Sequence, residues 1–305
     1  MSRKICKLCP RNCNVDRNNG EKGICGQTNQ LKVARAALHY WEEPCISGVE
    51  GSGAVFFCGC ALHCVFCQNR EIANGTVGKE ISVERLSEIF LELMEKGANN
   101  INLVTAGHFV PQVIKALERA KAQGMNLPVV YNTSSYENVD TIKKLEGFVD
   151  IYLPDFKYMS ETLSEKYSHA LDYSKVAKAA IEEMVRQTGA PVFKETEKMS
   201  EEEEPLIRKG TIVRHLVLPG QVEDSKAVIR YLYETYGDKI YISIMNQFTP
   251  MSNLSAYPEL ARKLTEEEYD EVVDYAIELG VENGYIQEGE TAKESFIPAF
   301  DCEGV

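Results

Sequence analysis

Six short apolar runs, each followed by an amphipathic helical pattern, set the tightest limit on what this chain can fold into. The runs are GAVFFCG (53–59), NNINLVTAG (99–107), LPVVYNTSS (127–135), FVDIYLPDF (148–156), GTIVRHLVLPG (210–220) and DKIYISIMNQF (238–248). Each is too short for a buried helix and rich in Val, Ile, Tyr or Phe, as strands covered on both faces are. The helices between them carry their own ends. Ser82 caps VERLSEIFLELMEK and Gly97 stops it; Pro111 opens the next helix and Gly124 closes it. ENVDTIKKLEG, SKVAKAAIEEMVRQTG and DSKAVIRYLYETYG continue the series, and Thr265 with Glu268 forms a capping box at the last helix. Strands alternating with helices imply right-handed βαβ units, wound as a barrel or an open sheet, with functional groups at the C-terminal strand ends.

The chain has 305 residues, enough for one large α/β domain or two smaller ones, and its 44% hydrophobic and 26% charged residues are those of a globular protein. No apolar run is long enough to span a bilayer, and the opening MSRKICKLCPRNC lacks a signal-peptide core, so no membrane and a cytoplasmic location are expected. A net charge of -13 argues against a nucleic-acid partner. The densest charge run, Glu201 to Glu204, reads as solvated, and 189–209 reads as a long polar connection.

Nine of the ten cysteines fall within the first 67 residues, which points to metal ligation or redox chemistry and not to disulfide stapling. Seven of them form two local groups, with Cys58 off the pattern and Cys45 read as a small buried hydrophobe. Cys60, Cys64 and Cys67 follow C-x3-C-x2-C, just where the first strand should end. Three thiolates on one loop suit three irons of a 4Fe–4S cubane and leave the fourth iron open for chemistry. A zinc held by the same cysteines and His63 is the competing reading. Cys6, Cys9, Cys13 and Cys25 follow C-x2-C-x3-C-x11-C, a closed set suited to zinc or to a second iron–sulfur cluster. Residues 1–50 have little apolar periodicity, so they read as a small cysteine-rich metal-binding module and linker, ahead of a barrel over 51–305.

CALHCVFC, with Phe66 before its last cysteine, resembles the cluster-binding signature of radical S-adenosylmethionine (radical SAM) enzymes. In that superfamily S-adenosylmethionine chelates the open iron and is cleaved reductively, releasing a 5′-deoxyadenosyl radical that abstracts hydrogen. The fold this implies is an α/β partial (β/α)6 barrel. Residues 42–69, IYLPDFKYM (151–159), VRHLVLPG (213–220) and the opening CKLCPRNC resemble uncharacterised relatives of pyruvate formate-lyase activating enzyme. That resemblance implies that Asp155, Lys157 and Arg214 contact S-adenosylmethionine, with Asn132, Thr133 and Asn246 nearby and His215 turned away. Lys157 and His108 are its catalytic candidates. The Gly-Gly-Glu motif of activating enzymes is replaced by Thr105-Ala106-Gly107-His108; backbone carbonyls at Thr105 and Ala106 are expected to take over its contacts. The implied substrate is a protein or peptide, as in glycyl-radical-enzyme activation, with an electron donor such as flavodoxin or ferredoxin. A small-molecule substrate is the alternative within the same chemistry. A non-catalytic electron-transfer or scaffold protein is the alternative outside it.

Overall fold

The computed structural model describes residues 4–195, 204–251, 254–287 and 298–305. Its strands are β1 (Lys32–His39), β2 (Ser52–Phe57), β3 (Lys79–Glu80), β4 (Ile101–Val104), β5 (Val129–Thr133), β6 (Ile151–Pro154), β7 (Val192–Phe193), β8 (Ile207–Leu216), β9 (Tyr241–Met245) and β10 (Gly284–Ile286). The helices are α1 (Pro44–Ser47), α2 (Arg70–Ala73), α3 (Val83–Glu95), α4 (Val110–Ala122), α5 (Val139–Lys143), α6 (Glu161–Ser168), α7 (Tyr173–Thr188), α8 (Val222–Tyr236) and α9 (Glu266–Leu279).

All six apolar runs form strands. They lie in the order β2-β4-β5-β6-β8-β9, parallel throughout, and β10 adds a seventh parallel strand beside β9. On the other flank β1 runs antiparallel to β2, and β3 antiparallel to β1. The sheet path ends at β10 and β3 without closing, so the architecture is an open, partial barrel.

Alternation along each strand sorts the side chains. Tyr131, Tyr152 and Val213 join the main core under the helices, whereas Val130, Ile151, Leu153 and Ile212 form a second cluster with Cys45 and Ile46 of α1. That second cluster fills the barrel interior near the strands' N-terminal ends. Helix α1 is fixed there because Asn99 and Asn100, just before β4, donate to the carbonyls of Ser47 (2.7 Å) and Ile46 (2.8 Å). Two residues further along the same faces come Asn132, Asp155 and Arg214.

The helix ends expected from sequence are present: Ser82 accepts from Arg85 N, the Thr265–Glu268 capping box forms, and Gly97 and Gly124 take the positive φ their stops require. Differences are confined to short or irregular elements. Residues 32–39, taken as part of a loop-rich module, are β1 of the main sheet. Its alanine-rich KVARAALH contains a bulge between Val33 and Arg35, which breaks the period-two pattern that would betray a strand. β8 begins at Ile207, inside the stretch read as a polar connection, and Val192–Phe193 pairs with it; Glu201 to Glu203 lie outside the described residues.

Candidate active site

The cleft at the C-terminal end of the strands has a volume of about 430 Å³. One of its walls is a buried polar network built on Arg214. The guanidinium donates through Nε to Asp155 Oδ1 (2.9 Å), through Nη1 to Glu42 Oε2 (2.9 Å) and through Nη2 to Asn132 Oδ1 (2.7 Å). Asp155 Oδ2 takes Lys157 Nζ at 2.7 Å, and Glu42 Oε1 accepts from Asn132 (3.1 Å) and Asn102 (3.0 Å). Asp155 and Arg214 meet because their backbones form a parallel bridge between the end of β6 and β8. Burial pushes the Asp155 carboxyl up, but Arg214 and Lys157 outweigh it and hold the group below its ordinary range. Burial likewise pulls Lys157 down, while Asp155 and Cys64 raise it above its ordinary value. Both stay charged.

The loop after β2 supplies the facing wall. Cys60, Cys64 and Cys67 all line the cleft. The Ser168 hydroxyl donates to Cys64 Sγ (3.1 Å), and Leu62 N–H to Cys60 Sγ (3.4 Å). Phe66 seats the loop edge-on among Tyr158, Tyr167 and Phe248. Gln68 Nε2 ties its far end to the Gln247 carbonyl after β9 (2.8 Å). Burial pushes the Cys67 thiol up to about 12 and raises Cys64 as well, so the bare sulfurs are protonated and a bound metal would displace those protons. Among the described residues no three His, Cys, Asp or Glu side chains gather about one point as a single ion requires. A cubane asks for something else, one thiolate at each of three separate irons. The three cleft thiols fit that donor set.

The N-terminal cysteines lie together beside this loop. A Cβ at Gly23 would sit 3.2 Å from Cys13 Sγ and 3.4 Å from Cys25 Sγ, and Cys6 Sγ lies 4.0 Å from Arg17 Nη1. Burial pushes Cys9 up to about 12 and raises Cys25. Between Cys9 and Cys13, Arg11 reaches across to the cluster loop, donating to the carbonyls of Ala61 (2.7 Å), Leu62 (3.2 Å) and Ser168 (2.9 Å), and also to that of His169. His63 Nε2 returns the connection by donating to the Ile24 carbonyl (2.8 Å). Gly59, at φ +90°, lets the loop pass the Cys25 carbonyl, which would be 2.5 Å from any Cβ there.

Thr105 and Thr133 line the cleft with the network; Thr105 sits in the left-handed region at φ 60° and donates its N–H to the Asn132 carbonyl (2.9 Å). His108 does not line it. Its ring is buried, with Nε2 donating to the Cys58 carbonyl (2.7 Å), and burial pushes its pKa down to about 3. Asn246 does not line the cleft, whereas its neighbours Met245 and Gln247 do; its side-chain amide donates to the Gln287 carbonyl (3.1 Å). His215 faces the helix side, as alternation predicts, with Nδ1 donating to the Phe156 carbonyl (2.7 Å). Cys302, the one cysteine beyond the first 67 residues, is held by its N–H on the Ala34 carbonyl (3.0 Å). Sequence reasoning missed Glu42, Glu43, Asn102 and Arg11.

An uncharacterized protein of Methanocaldococcus jannaschii is 27% identical over 280 residues, which cover 90% of this chain and 74% of that protein. The FeFe-hydrogenase maturase HydG superposes with a TM-score of 0.50 at 15% identity, over 74% of this chain and 49% of the maturase. That is a likeness of fold, and the chain spans about half the maturase's length. A domain of pyruvate-formate lyase-activating enzyme from Bacteroides vulgatus gives a TM-score of 0.40 at 12% identity, over 59% of this chain and 91% of that domain. The profile of the radical SAM superfamily matches residues 54–232, from the strand before the cysteine loop to well past Arg214. With more than half its length so matched, the chain belongs to the radical SAM superfamily.

Proposed function

We propose that this radical SAM protein takes a hydrogen atom from a protein or peptide, in the manner of glycyl-radical-enzyme activation. The observation that carries the reading is the meeting of Cys60, Cys64 and Cys67 with Asp155, Lys157, Asn132 and Arg214 around one cleft. Membership of the superfamily implies a 4Fe–4S cluster and S-adenosylmethionine; together, when bound, they supply the radical that abstracts hydrogen. In this reading the three cysteines hold the cluster. Arg214, kept in orientation by Asp155, Glu42 and Asn132, presents a planar cation to a carboxylate. Lys157 holds its proton at Nζ and offers a second cation beside Cys64. The backbone at Thr105 serves where activating enzymes carry Gly-Gly-Glu.

In the same reading Cys6, Cys9, Cys13 and Cys25 hold a second cluster, which asks one thiolate of each iron, or a zinc on which they converge only as it binds, and Arg11 ties that module to the cluster loop. A flavodoxin- or ferredoxin-type donor supplies electrons, and the cytoplasm keeps the thiols reduced.

The test is anaerobic. Protein reconstituted with iron and sulfide and reduced with dithionite is given S-adenosylmethionine, and 5′-deoxyadenosine is assayed beside the triple change Cys60→Ala, Cys64→Ala, Cys67→Ala. The reading expects product from the wild type and none from the variant. A fully loaded wild-type cluster that makes none sinks it. Absence of a glycyl radical, by electron paramagnetic resonance, on every glycyl-radical enzyme of the host would remove the activase part alone.

A further inference from the structure

Inside the cleft the ionised groups balance, with one exception. Asp155 has both oxygens engaged, one by Arg214 and one by Lys157, and Glu42 has both engaged by Arg214, Asn132 and Asn102. Two carboxylates therefore answer two cations. Glu43, which also lines the cleft, is only 8% exposed, and its Oε2 is buried with no hydrogen-bond partner. It occupies the cap position of α1, where its carbonyl accepts from Ile46 N (2.8 Å) and Ser47 N (3.0 Å), yet its side chain makes no cap bond. Asn102 Oδ1, on the partner that Glu42 shares, is a second buried acceptor left without a donor. A buried acceptor lacking a donor is costly, and Glu43 Oε2, unlike Asn102 Oδ1, belongs to a residue that lines the cleft, where a bound molecule can supply the N–H.

We propose that Glu43 is a substrate-recognition residue, and that the substrate brings a primary ammonium or a guanidinium to the closed end of the cleft. Charge selects a cation over a neutral donor: of the described carboxylates that line the cleft, Asp155 and Glu42 are held in direct ion pairs and Glu43 is not, so a ligand cation supplies the partner it lacks. Burial pushes its carboxyl up, against the pull of the Arg214 guanidinium and a hydrogen bond from Ser243. For a peptide substrate the group is a lysine or arginine side chain; for a small molecule it is an alkyl amine or alkyl guanidine. This deepens the hydrogen-abstraction reading by naming a substrate feature, and it rests on that reading only for the cleft's being the place of reaction.

The test uses the anaerobically reconstituted protein without S-adenosylmethionine. Its Tm is measured against rising 1,4-diaminobutane and agmatine, with 1,4-butanediol as the neutral isostere, in wild type and Glu43→Gln; S-adenosylmethionine binding is measured on both proteins. The proposal expects a concentration-dependent rise in Tm with the two cations and none with the diol. It expects apparent amine affinity to fall about tenfold or more in E43Q, with S-adenosylmethionine affinity unchanged. Equal response to amine and diol overturns it. So does an unchanged amine response in E43Q, or a tenfold loss of S-adenosylmethionine affinity without loss of the amine effect, which assigns Glu43 to the cofactor. Should E43Q fail to fold, the comparison of cation with diol in wild type still decides, and Glu43→Asp replaces it, with weakened amine response expected. A positive amine result beside an enzyme that makes no 5′-deoxyadenosine would leave Glu43 standing and remove the radical reading.

Discussion

Taking away the Arg214 guanidinium leaves Asp155, Glu42 and Asn132 short of a donor in a network whose charged side chains are largely buried. Arg214→Ala is therefore expected to cost about 3–5 kcal/mol in urea denaturation, the range for breaking a buried ion pair. Arg214→Lys keeps the charge but not the fork that serves three acceptors at once, and falls in between. A loss well below 1 kcal/mol for the alanine change would show that solvent replaces the side chain. Thr105 is the opposite case, a β-branched residue at φ 60°, a conformation that costs on the order of 1–3 kcal/mol. Thr105→Gly should raise the urea midpoint, and a fall would show no strain is stored there. At this scale the cysteine triad was legible from its spacing, whereas Asp155, Lys157 and Arg214 came from the resemblance of IYLPDFKYM and VRHLVLPG; the structure brings all six to one cleft. Glu42, Glu43 and Asn102 were not legible. Their meeting depends on a four-residue helix tucked under the barrel, and no local period encodes that contact.

Elements whose side chains keep one period were the legible ones. The central strands are largely buried on both faces and read as apolar runs; α3 and α9 keep their side-chain caps, and α4, α7 and α8 keep their apolar stripes. β1, β10 and α6 escaped because a bulge, three residues of length and a largely polar octet erase periodicity. Caps carry a testable increment. Thr265→Ala removes the hydroxyl half of the α9 capping box and should cost about 1 kcal/mol, seen as a lower Tm. The cluster loop is held from outside by Arg11, so Arg11→Ala should speed backbone hydrogen exchange over residues 60–69 and lower the iron retained after reconstitution. Unchanged exchange would show that Phe66 and Gln68 suffice to hold the loop.

Over the whole molecule, acid stability is set by buried groups that titrate far from their unfolded values. His108 has a folded pKa of about 3 against an ordinary 6.5, so between those values the unfolded chain takes up a proton that the native state refuses. Stability drops as pH falls through that window, and His108→Gln should flatten the drop by about 1.4 kcal/mol per pH unit. Glu137, raised by burial to about 7 from an ordinary 4.5, works with the opposite sign: the native state holds a proton that the unfolded chain releases. Its contribution is full below 4.5 and lost as pH rises through 7, so Glu137→Gln should steepen the acid loss. Urea midpoints taken across pH 4 to 7 in the same buffers check both. Parallel slopes for variant and wild type would remove the assignment. The segment 298–305 carries a different consequence. Ala36 N–H donates to the Glu303 carbonyl (2.8 Å), Cys302 N–H to the Ala34 carbonyl (3.0 Å), and Arg35 pairs with Asp301 and Glu303. A strand left bare at the margin of a sheet is a template on which a neighbouring molecule can polymerise. Cys302 and Glu303 occupy that template along Ala34 to Ala36, and β3 covers Lys32 and Val33, so a neighbouring molecule would have to displace this segment before it could pair with β1.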